Sequence, residues 1–158
     1  MVMMHKVFVY GTLKDGEPNH HVLLHQKDRG GARGQGLADH EHFRFLGKAQ
    51  TTNKYPLVIA SKFNIPYLLD KQGVGNFIRG EVYQVDDELL KILDDFEGHP
   101  DYYKRREEDI QLLDDSSLVR CWVYLLPKFK PEMLELPLLS DYRLYTNIVT
   151  SKAKQPHN

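Results

Sequence analysis

The sequence has few of the features that mark secreted or membrane-bound chains. It contains a single cysteine, Cys121, among 158 residues. One cysteine excludes an internal disulfide and any zinc cluster built from cysteines, and it is typical of a reducing compartment. No apolar run reaches the ~18–20 residues that a membrane-spanning helix needs. The first residues lack the apolar core and cleavage site of a secretory signal, so we expect a soluble cytoplasmic protein without a membrane partner.

The chain also has no large excess of positive or negative charge. The chain has 21 basic and 22 acidic residues, which gives a net charge of −1. Proteins that bind nucleic acids usually carry a basic face. The balanced charge therefore argues against a nucleic-acid partner.

What remains is the composition of an ordinary globular domain, with 41% hydrophobic and 27% charged residues. Domains mostly contain ~100–200 residues, so the length suits one domain. We expect residues 1–150 to form this domain. We expect residues 151–158 to form a flexible tail, because chain ends commonly fray.

Strand signals dominate the pattern. Short β-branched, aromatic or apolar runs bounded by turn residues predict strands. These runs cover residues 6–10, 43–51, 56–60, 65–69, 77–85, 103–113 and 119–126, with a hairpin turn at 114–117. A short helix is predicted at 18–26, an exposed, mobile glycine-rich loop at 26–39 and irregular structure beyond Pro127. With one main helix, this order favours an α+β fold whose mixed or antiparallel sheet curls into a small barrel.

The main helix is predicted over residues 86–97. Asp86 is a good N-cap, and Gly98 supplies the C-terminal stop. At ~100° per residue, Glu97 falls within the apolar arc of the helix. That arc is formed by Leu89, Leu90, Ile92, Leu93 and Phe96.

The position of Glu97 makes it a candidate general acid/base. Burial raises the pKa of a carboxyl group, and the carbonyl end of the helix acts in the same direction. A raised pKa suits proton transfer near neutral pH. A frayed last turn would instead turn the side chain of Glu97 into solvent.

A second candidate site is the turn that follows the first strand. Gly11 lets the backbone bend sharply and lets a ligand approach closely. Successive backbone N–H groups in such a turn can bind a carboxylate or a developing oxyanion. A strand that simply ends at a glycine explains the same residues.

Several histidines provide a weaker signal. His20, His21 and His25 include an i, i+4 pair, and His40 and His42 follow in the sequence. No metalloprotease-type motif is present, and both groups lie in polar surroundings. We therefore interpret them as surface residues and expect no metal site.

Other chemistry-bearing residues also have simpler explanations. Cys121 shares a strand face with apolar residues, which favours a buried, inert thiol over a nucleophile. The basic residues 104–106 and the acidic residues 107–109 nearly cancel, which favours a solvated strand face. Tyr102 and Tyr103 either orient Glu97 by hydrogen bonding or pack as aromatic residues.

Three stretches together resemble the gamma-glutamylcyclotransferase-like superfamily. They are Val9-Tyr10-Gly11-Thr12-Leu13-Lys14, Gly80-Glu81-Val82-Tyr83 and Leu93-Asp94-Asp95-Phe96-Glu97. Residues 17–20, 55–60 and 64–69 support the resemblance, which covers roughly residues 5–126. The match is strongest to the branch that acts on gamma-glutamylamines.

The resemblance implies a site and a reaction. Tyr10, Gly11, Thr12 and Leu13 would bind the gamma-glutamyl group of a small-molecule substrate, largely through backbone amides, and Glu97 would be the catalytic acid/base. The substrate's α-amine would attack its own γ-carbonyl, form 5-oxoproline and release an amine, for example lysine from gamma-glutamyl-ε-lysine. The resemblance implies no metal or organic cofactor.

Two alternatives remain open. One is a cyclotransferase for gamma-glutamyl α-amino acids or glutathione, and the other is a binding module that keeps the pocket without turnover. Three departures from the family pattern motivate them. The glycine-rich segment 27–39 is long, Asp15 stands where relatives often carry a basic residue, and the chain beyond Pro127 matches poorly. Loops often form substrate walls, so these departures bear on the leaving group.

Overall fold

The computed structural model describes residues 3–14, 43–60 and 65–142. Several features expected from the sequence lie outside the described residues. They are the helix at 18–26, the loop at 26–39, the histidines from His20 to His42 and the tail at 151–158.

Strands dominate the described part of the chain, as predicted. They are β1 (Met4–Val9), β2 (Phe43–Tyr55), β3 (Leu57–Ala60), β4 (Ile65–Leu68), β5 (Asn76–Asp86), β6 (Lys104–Leu112) and β7 (Leu118–Leu125). The helix α1 (Asp87–Glu97) follows β5, and a 3-10 helix covers Pro131–Glu135. Among the described helices, none has the length and apolar character needed to cross a membrane.

Five strands form a closed barrel in the order β1-β5-β2-β6-β7. The pairs β1–β5, β5–β2, β2–β6 and β6–β7 are antiparallel. The parallel pair β1–β7, in which Val7 lies opposite Trp122, closes the ring. Strands β3 and β4 form a separate antiparallel pair. The predicted mixed barrel with one main helix is confirmed.

Alternation along the strands produces two apolar layers. Phe8 points into the barrel and packs with alternating residues of the other barrel strands. Its neighbours Val7 and Val9 belong to the layer that packs against α1. The helix contributes Leu89 and Leu93, which are both fully buried. Each such leucine stabilises the fold by ~1.5–3 kcal/mol, which fixes α1 on the barrel wall.

Both ends of α1 form as the sequence predicts. The Asp86 carboxylate accepts a hydrogen bond of 2.8 Å from the Leu89 backbone N–H. Gly98 adopts a left-handed conformation with φ of 71°, and its N–H bonds back to carbonyl groups of the last turn. One detail of the predicted apolar face is wrong. Phe96 is 44% exposed, because it lies at the end of the helix and borders a cavity instead of the core.

Two segments are more ordered than the sequence predicts. Strand β2 continues past residue 51 to Tyr55, because the chain resumes pairing with β5 after an irregularity at residues 50–54. Within this irregularity the Thr51 hydroxyl accepts the Ile78 N–H. Beyond Pro127, the chain forms the 3-10 helix and then packs Tyr142 into the barrel core.

The prediction of a solvated charged face on β6 is wrong in part. Arg105 pairs with Asp94, and Arg106 pairs with Asp70 and Glu108. Glu108 is only 7% exposed. The charges cancel as expected, but they do so through specific ion pairs, some of which join β6 to neighbouring elements.

Candidate active site

A cavity of about 200 Å³ lies where the end of β1, the start of β4 and the end of α1 meet. The residues of both predicted sites line it: Tyr10, Gly11, Thr12, Leu13 and Glu97. The fold therefore brings the turn after β1 and the end of α1 to one place. The remaining described lining residues are Phe8, Val9, Ile65, Pro66, Phe96, Tyr103 and Tyr124.

The turn after β1, which we call the 10–13 turn (Tyr10, Gly11, Thr12 and Leu13), forms one wall of the cavity. The Lys14 N–H bonds to the Gly11 carbonyl at 3.0 Å, which closes the turn. A Cβ atom on Gly11 would lie 2.9 Å from Cγ of Pro66 on β4. Real Cβ contacts are almost never that short, so glycine allows the turn to pack against β4.

Glu97 is the last residue of α1 and forms another wall of the cavity. The last turn does not fray, because Gly98 caps it and the Tyr103 N–H bonds to the Glu97 carbonyl at 3.3 Å. Glu97 keeps partial solvent exposure, but protein atoms surround its side chain closely enough for burial to matter. Burial raises the pKa of the Glu97 carboxyl from 4.5 to about 7.

Three tyrosines share the cavity with Glu97, and each hydroxyl donates to a protein group. Tyr10 donates to the Tyr124 carbonyl at 2.7 Å, and Tyr103 donates to the Pro66 carbonyl at 3.4 Å. The Tyr124 hydroxyl donates to Asp94 at 2.6 Å. Burial raises the pKa of all three phenols, so they stay neutral at physiological pH. Glu97 thus carries the only formal charge among the described lining residues.

Tyr102 and Tyr103 belong to an aromatic group beside the cavity. The Tyr103 ring stacks on Tyr67 with centroids 6.3 Å apart, and Tyr102 meets it edge-on at 5.2 Å. The Tyr103 hydroxyl is directed to the Pro66 carbonyl, and Tyr102 is 52% exposed. These contacts favour aromatic packing over a direct hydrogen bond to Glu97.

Sequence reasoning missed Tyr124 and Pro66 as parts of the cavity. The alternation of side chains along β7 could have identified Tyr124, since Cys121, Val123 and Leu125 belong to the barrel core. Tyr124 therefore had to face outward, toward the layer that contains α1. What the pattern did not contain is the strand pairing that sets β7 beside β1.

The competing candidates for chemistry lie apart from the cavity. Cys121 is 1% exposed, and burial raises the pKa of its thiol to about 12. The expected burial of the thiol is confirmed, and its raised pKa disfavours the nucleophilic thiolate. The described ranges also contain no group of three or more histidine, cysteine, aspartate or glutamate residues that could hold a metal ion.

The closed barrel with α1 on its wall also defines the class of protein. The crystal structure of an AIG2-like protein from Mus musculus superposes with a TM-score of 0.74 at 40% identity, covering 88% of each chain. The sequence model of the family described as gamma-glutamyl cyclotransferase, AIG2-like, matches residues 7–144. The chain belongs to this family.

Curated relatives agree with this assignment. The gamma-glutamylaminecyclotransferase of Bos taurus is 45% identical over 136 residues, covering 86% of this chain and 74% of the relative. The Homo sapiens protein of the same name is 42% identical over 146 residues, covering 86% and 88%. The family match extends to residue 144, so the expectation that the chain beyond Pro127 departs from the family is wrong for residues 128–144.

Proposed function

We propose that the protein is a gamma-glutamylamine cyclotransferase that releases 5-oxoproline and a free amine. The observation that carries this proposal is the shared cavity: Glu97, with its raised pKa, and the 10–13 turn border the same space. Relatives at 42% and 45% identity that are named gamma-glutamylaminecyclotransferase support the reaction class.

The reaction needs no nucleophile from the protein, because the substrate supplies one. The neutral α-amine attacks the γ-carbonyl, and a new C–N bond closes the five-membered lactam. The bond from the γ-carbon to the leaving nitrogen then breaks. This attack is already intramolecular, so the cavity contributes by holding the substrate folded with amine and carbonyl in contact, which removes the entropy cost of freezing the bonds between them.

Glu97 handles the proton in this scheme. Its carboxylate takes a proton from the attacking amine as the lactam bond forms. The resulting carboxylic acid gives that proton to the leaving nitrogen, which departs as a free amine while Glu97 returns to the carboxylate. A pKa of about 7 suits both transfers, because neither form of the group is strongly preferred near neutral pH.

The 10–13 turn holds the gamma-glutamyl group in this proposal. The described cavity lining contains no lysine or arginine, so among these residues the substrate's α-carboxylate meets only neutral donors such as backbone amides. The same feature bears on the leaving group. An α-amino acid leaving group would bring a second carboxylate close to the first, and these lining residues hold no cation to offset the repulsion between the two, which favours an amine without a carboxylate beside the scissile bond.

A panel of substrates tests the proposal. Purified full-length protein is incubated with gamma-glutamyl-ε-lysine, a gamma-glutamyl α-amino acid and glutathione, and 5-oxoproline is measured. We expect the highest kcat/KM for gamma-glutamyl-ε-lysine. A preference for either of the other two substrates would support the alternative cyclotransferase. Tight binding of 5-oxoproline without product formation from any substrate would support the non-catalytic binding module.

The scheme also leaves no step for a cofactor. We therefore expect that protein treated with EDTA and dialysed keeps its full rate of 5-oxoproline release. A loss of activity that returns on addition of a divalent metal would contradict this expectation.

A further inference from the structure

A cluster of polar residues lies directly behind Glu97, outside the reaction scheme. Its centre is Asp94, which precedes Glu97 by one helical turn on α1, so the two lie next to each other on the helix surface. Asp94 accepts a hydrogen bond of 2.6 Å from the Tyr124 hydroxyl. It also accepts two bonds from Arg105, at 2.8 and 3.2 Å. We call Asp94, Tyr124 and Arg105 the Asp94 cluster.

Arg105 is held on more than one side. Its guanidinium lies 4.2 Å from the ring centroid of Trp122, and its backbone N–H donates to Nδ1 of His99 at 3.2 Å. The Arg105 and Asp94 side chains are 19% and 18% exposed. A bidentate pair with this burial is more strongly directional than an exposed ion pair, so it fixes the last turn of α1 against β6 and β7.

Tyr124 connects this cluster to the other wall of the cavity. Its hydroxyl donates to Asp94 on the helix, while its backbone carbonyl accepts the hydroxyl of Tyr10. One residue of β7 therefore contacts both the helical turn that carries Glu97 and the first residue of the 10–13 turn. The distance between Glu97 and the 10–13 turn therefore depends on Tyr124.

We propose that Asp94, Tyr124 and Arg105 are positioning residues, which hold Glu97 opposite the 10–13 turn and keep the charge behind it balanced. This inference rests on the proposed role of Glu97. Glu97 itself touches the substrate in that scheme. Asp94 and Arg105 lie outside the cavity lining, and the hydroxyl of Tyr124, which does line it, is bonded to Asp94, so the cluster's hydrogen bonds act through Glu97.

The charge balance follows from the cluster's own contacts. Burial opposes ionisation of Asp94, but hydrogen bonds from Arg105 and Tyr124 outweigh it and lower its pKa. Asp94 is thus negative and Arg105 positive, and together they add no net charge beside Glu97. The groups that face Glu97 from the other elements are the neutral phenols of Tyr10, Tyr103 and Tyr124. On its own segment the remaining ionisable neighbours are Asp95 and His99.

Removing one charge of the Asp94–Arg105 pair should shift the titration midpoint of Glu97, in opposite directions for the two residues. Asp94→Asn leaves the positive charge of Arg105 near Glu97, which favours the Glu97 carboxylate. Arg105→Gln leaves the negative charge of Asp94, which disfavours it. We expect the Glu97 titration midpoint to fall by about one pH unit in the first variant and to rise by about one in the second. The double variant restores neutrality, so its midpoint should return close to the wild-type value.

The midpoint is measured by NMR on the carboxyl carbon of Glu97, assigned by comparison with Glu97→Gln. Asp95→Asn is the matched control, because it makes the same chemical change at the next, exposed position of the helix. This measurement needs no turnover. It therefore tests the Asp94 cluster even if wild-type protein releases no 5-oxoproline and the proposed function fails.

The positioning role is tested separately with Tyr124→Phe, which removes the hydroxyl but keeps the carbonyl that Tyr10 uses. We expect kcat to fall about tenfold or more, because Glu97 is misplaced. KM should stay nearly unchanged, because the 10–13 turn keeps its position. Tyr55→Phe is the control. It loses a hydroxyl bonded to Arg106, outside the cavity, and should keep the wild-type kcat.

The outcomes separate clearly. Opposite midpoint shifts that cancel in the double variant, together with a selective loss of kcat in Tyr124→Phe, support the inference. Equal midpoints in all variants, or a Tyr124→Phe protein with wild-type kcat, would overturn it. Tyr124→Phe changes no net charge, so its kcat keeps the test decisive if Asp94→Asn or Arg105→Gln does not fold.

Discussion

The hydroxyl of Tyr10 donates a hydrogen bond of 2.7 Å to the backbone carbonyl of Tyr124, a residue 114 positions away in the chain. Both side chains are buried, and both line the cavity. This bond fixes the end of β1 on β7, beyond the parallel pairing that closes the barrel. It places the 10–13 turn at a defined distance from the end of α1, where Glu97 lies.

The pH dependence of the reaction should show the ionisation of Glu97. Protonated Glu97 cannot accept a proton from the attacking amine, so kcat/KM should fall on the acid side with a midpoint near pH 7. The substrate's amine titrates separately, and its contribution is common to wild type and variants. The residual activity of Glu97→Gln should therefore lack only the limb near pH 7. An identical acid limb in both proteins would show that Glu97 does not control it.

The raised pKa also predicts a pH-dependent cost to stability. Glu97 titrates at about 7 in the folded protein and near 4.5 when unfolded. Below pH 4.5 both states are protonated and burial costs nothing extra. Between pH 4.5 and 7 the unfolded state ionises first, so the folded state loses stability as the pH rises. The full cost is of order 1–3 kcal/mol above a pH of about 7, allowing for the partial exposure of the side chain.

Removing the carboxyl should remove that cost. We expect Glu97→Gln to be more stable than wild type at a pH of about 8, with the gain shrinking toward zero near pH 4.5. Urea unfolding across this range measures it, and Glu107→Gln, an exposed change on β6, is the control. A constant difference at every pH would mean that Glu97 does not titrate with a raised pKa.

Gly11→Ala should damage the cavity without damaging the core. The new Cβ would lie 2.9 Å from Cγ of Pro66, so the 10–13 turn has to move away from β4. We expect a clear rise in KM for the gamma-glutamyl substrate, measured by steady-state kinetics. Gly73→Ala is the comparison, because its φ of 97° makes alanine strained while the space around it is open. That variant should lose stability and keep its KM, whereas an unchanged KM in Gly11→Ala would argue against binding by the turn.

Lys14 ties the 10–13 turn to the C-terminal part of the described chain. Its Nζ lies 2.7 Å from Asp141, and the lysine side chain is only 5% exposed. Asp141→Asn removes the carboxylate from a buried ammonium, so we expect a loss of roughly 1–3 kcal/mol in unfolding free energy, since Asp141 itself is 38% exposed.

Two comparisons make this prediction specific. The double variant Lys14→Met/Asp141→Asn should recover part of the loss, because the buried ammonium is removed together with its carboxylate partner. Asp109→Asn breaks the exposed pair with Arg120 and should change stability by less than about 1 kcal/mol. Chemical denaturation measures all three. Equal effects of Asp141→Asn and Asp109→Asn would mean that the burial of Lys14 carries no energetic weight.

Local patterns were enough to predict most elements of the described fold. The helix ends follow from Asp86 and Gly98, whose roles depend only on near neighbours in the chain. The strand positions follow from runs of β-branched and aromatic residues. The continuation of β2 to Tyr55 was missed, because polar residues 52–54 carry no strand signal and only pairing with β5 keeps them extended.

The candidate site was predicted in part, and for a physical reason. The orientation of Glu97 was readable from helical periodicity, and the 10–13 turn from its glycine. Tyr124 and the Asp94–Arg105 pair were not, because they depend on which strands become neighbours although they lie far apart in the chain. The periodicity also could not show that Phe96 borders a cavity instead of the core, because both environments favour an apolar side chain.

The role of Glu97 is tested most directly by the rate of 5-oxoproline release from gamma-glutamyl-ε-lysine by Glu97→Gln, compared with wild type and with the exposed control Glu107→Gln. Circular dichroism confirms in each case that the protein is folded. We expect Glu107→Gln to match wild type, and Glu97→Gln to be slower by ~10²–10⁴, the usual contribution of a general acid/base. A folded Glu97→Gln protein that releases 5-oxoproline at the wild-type rate would show that Glu97 is not the general acid/base.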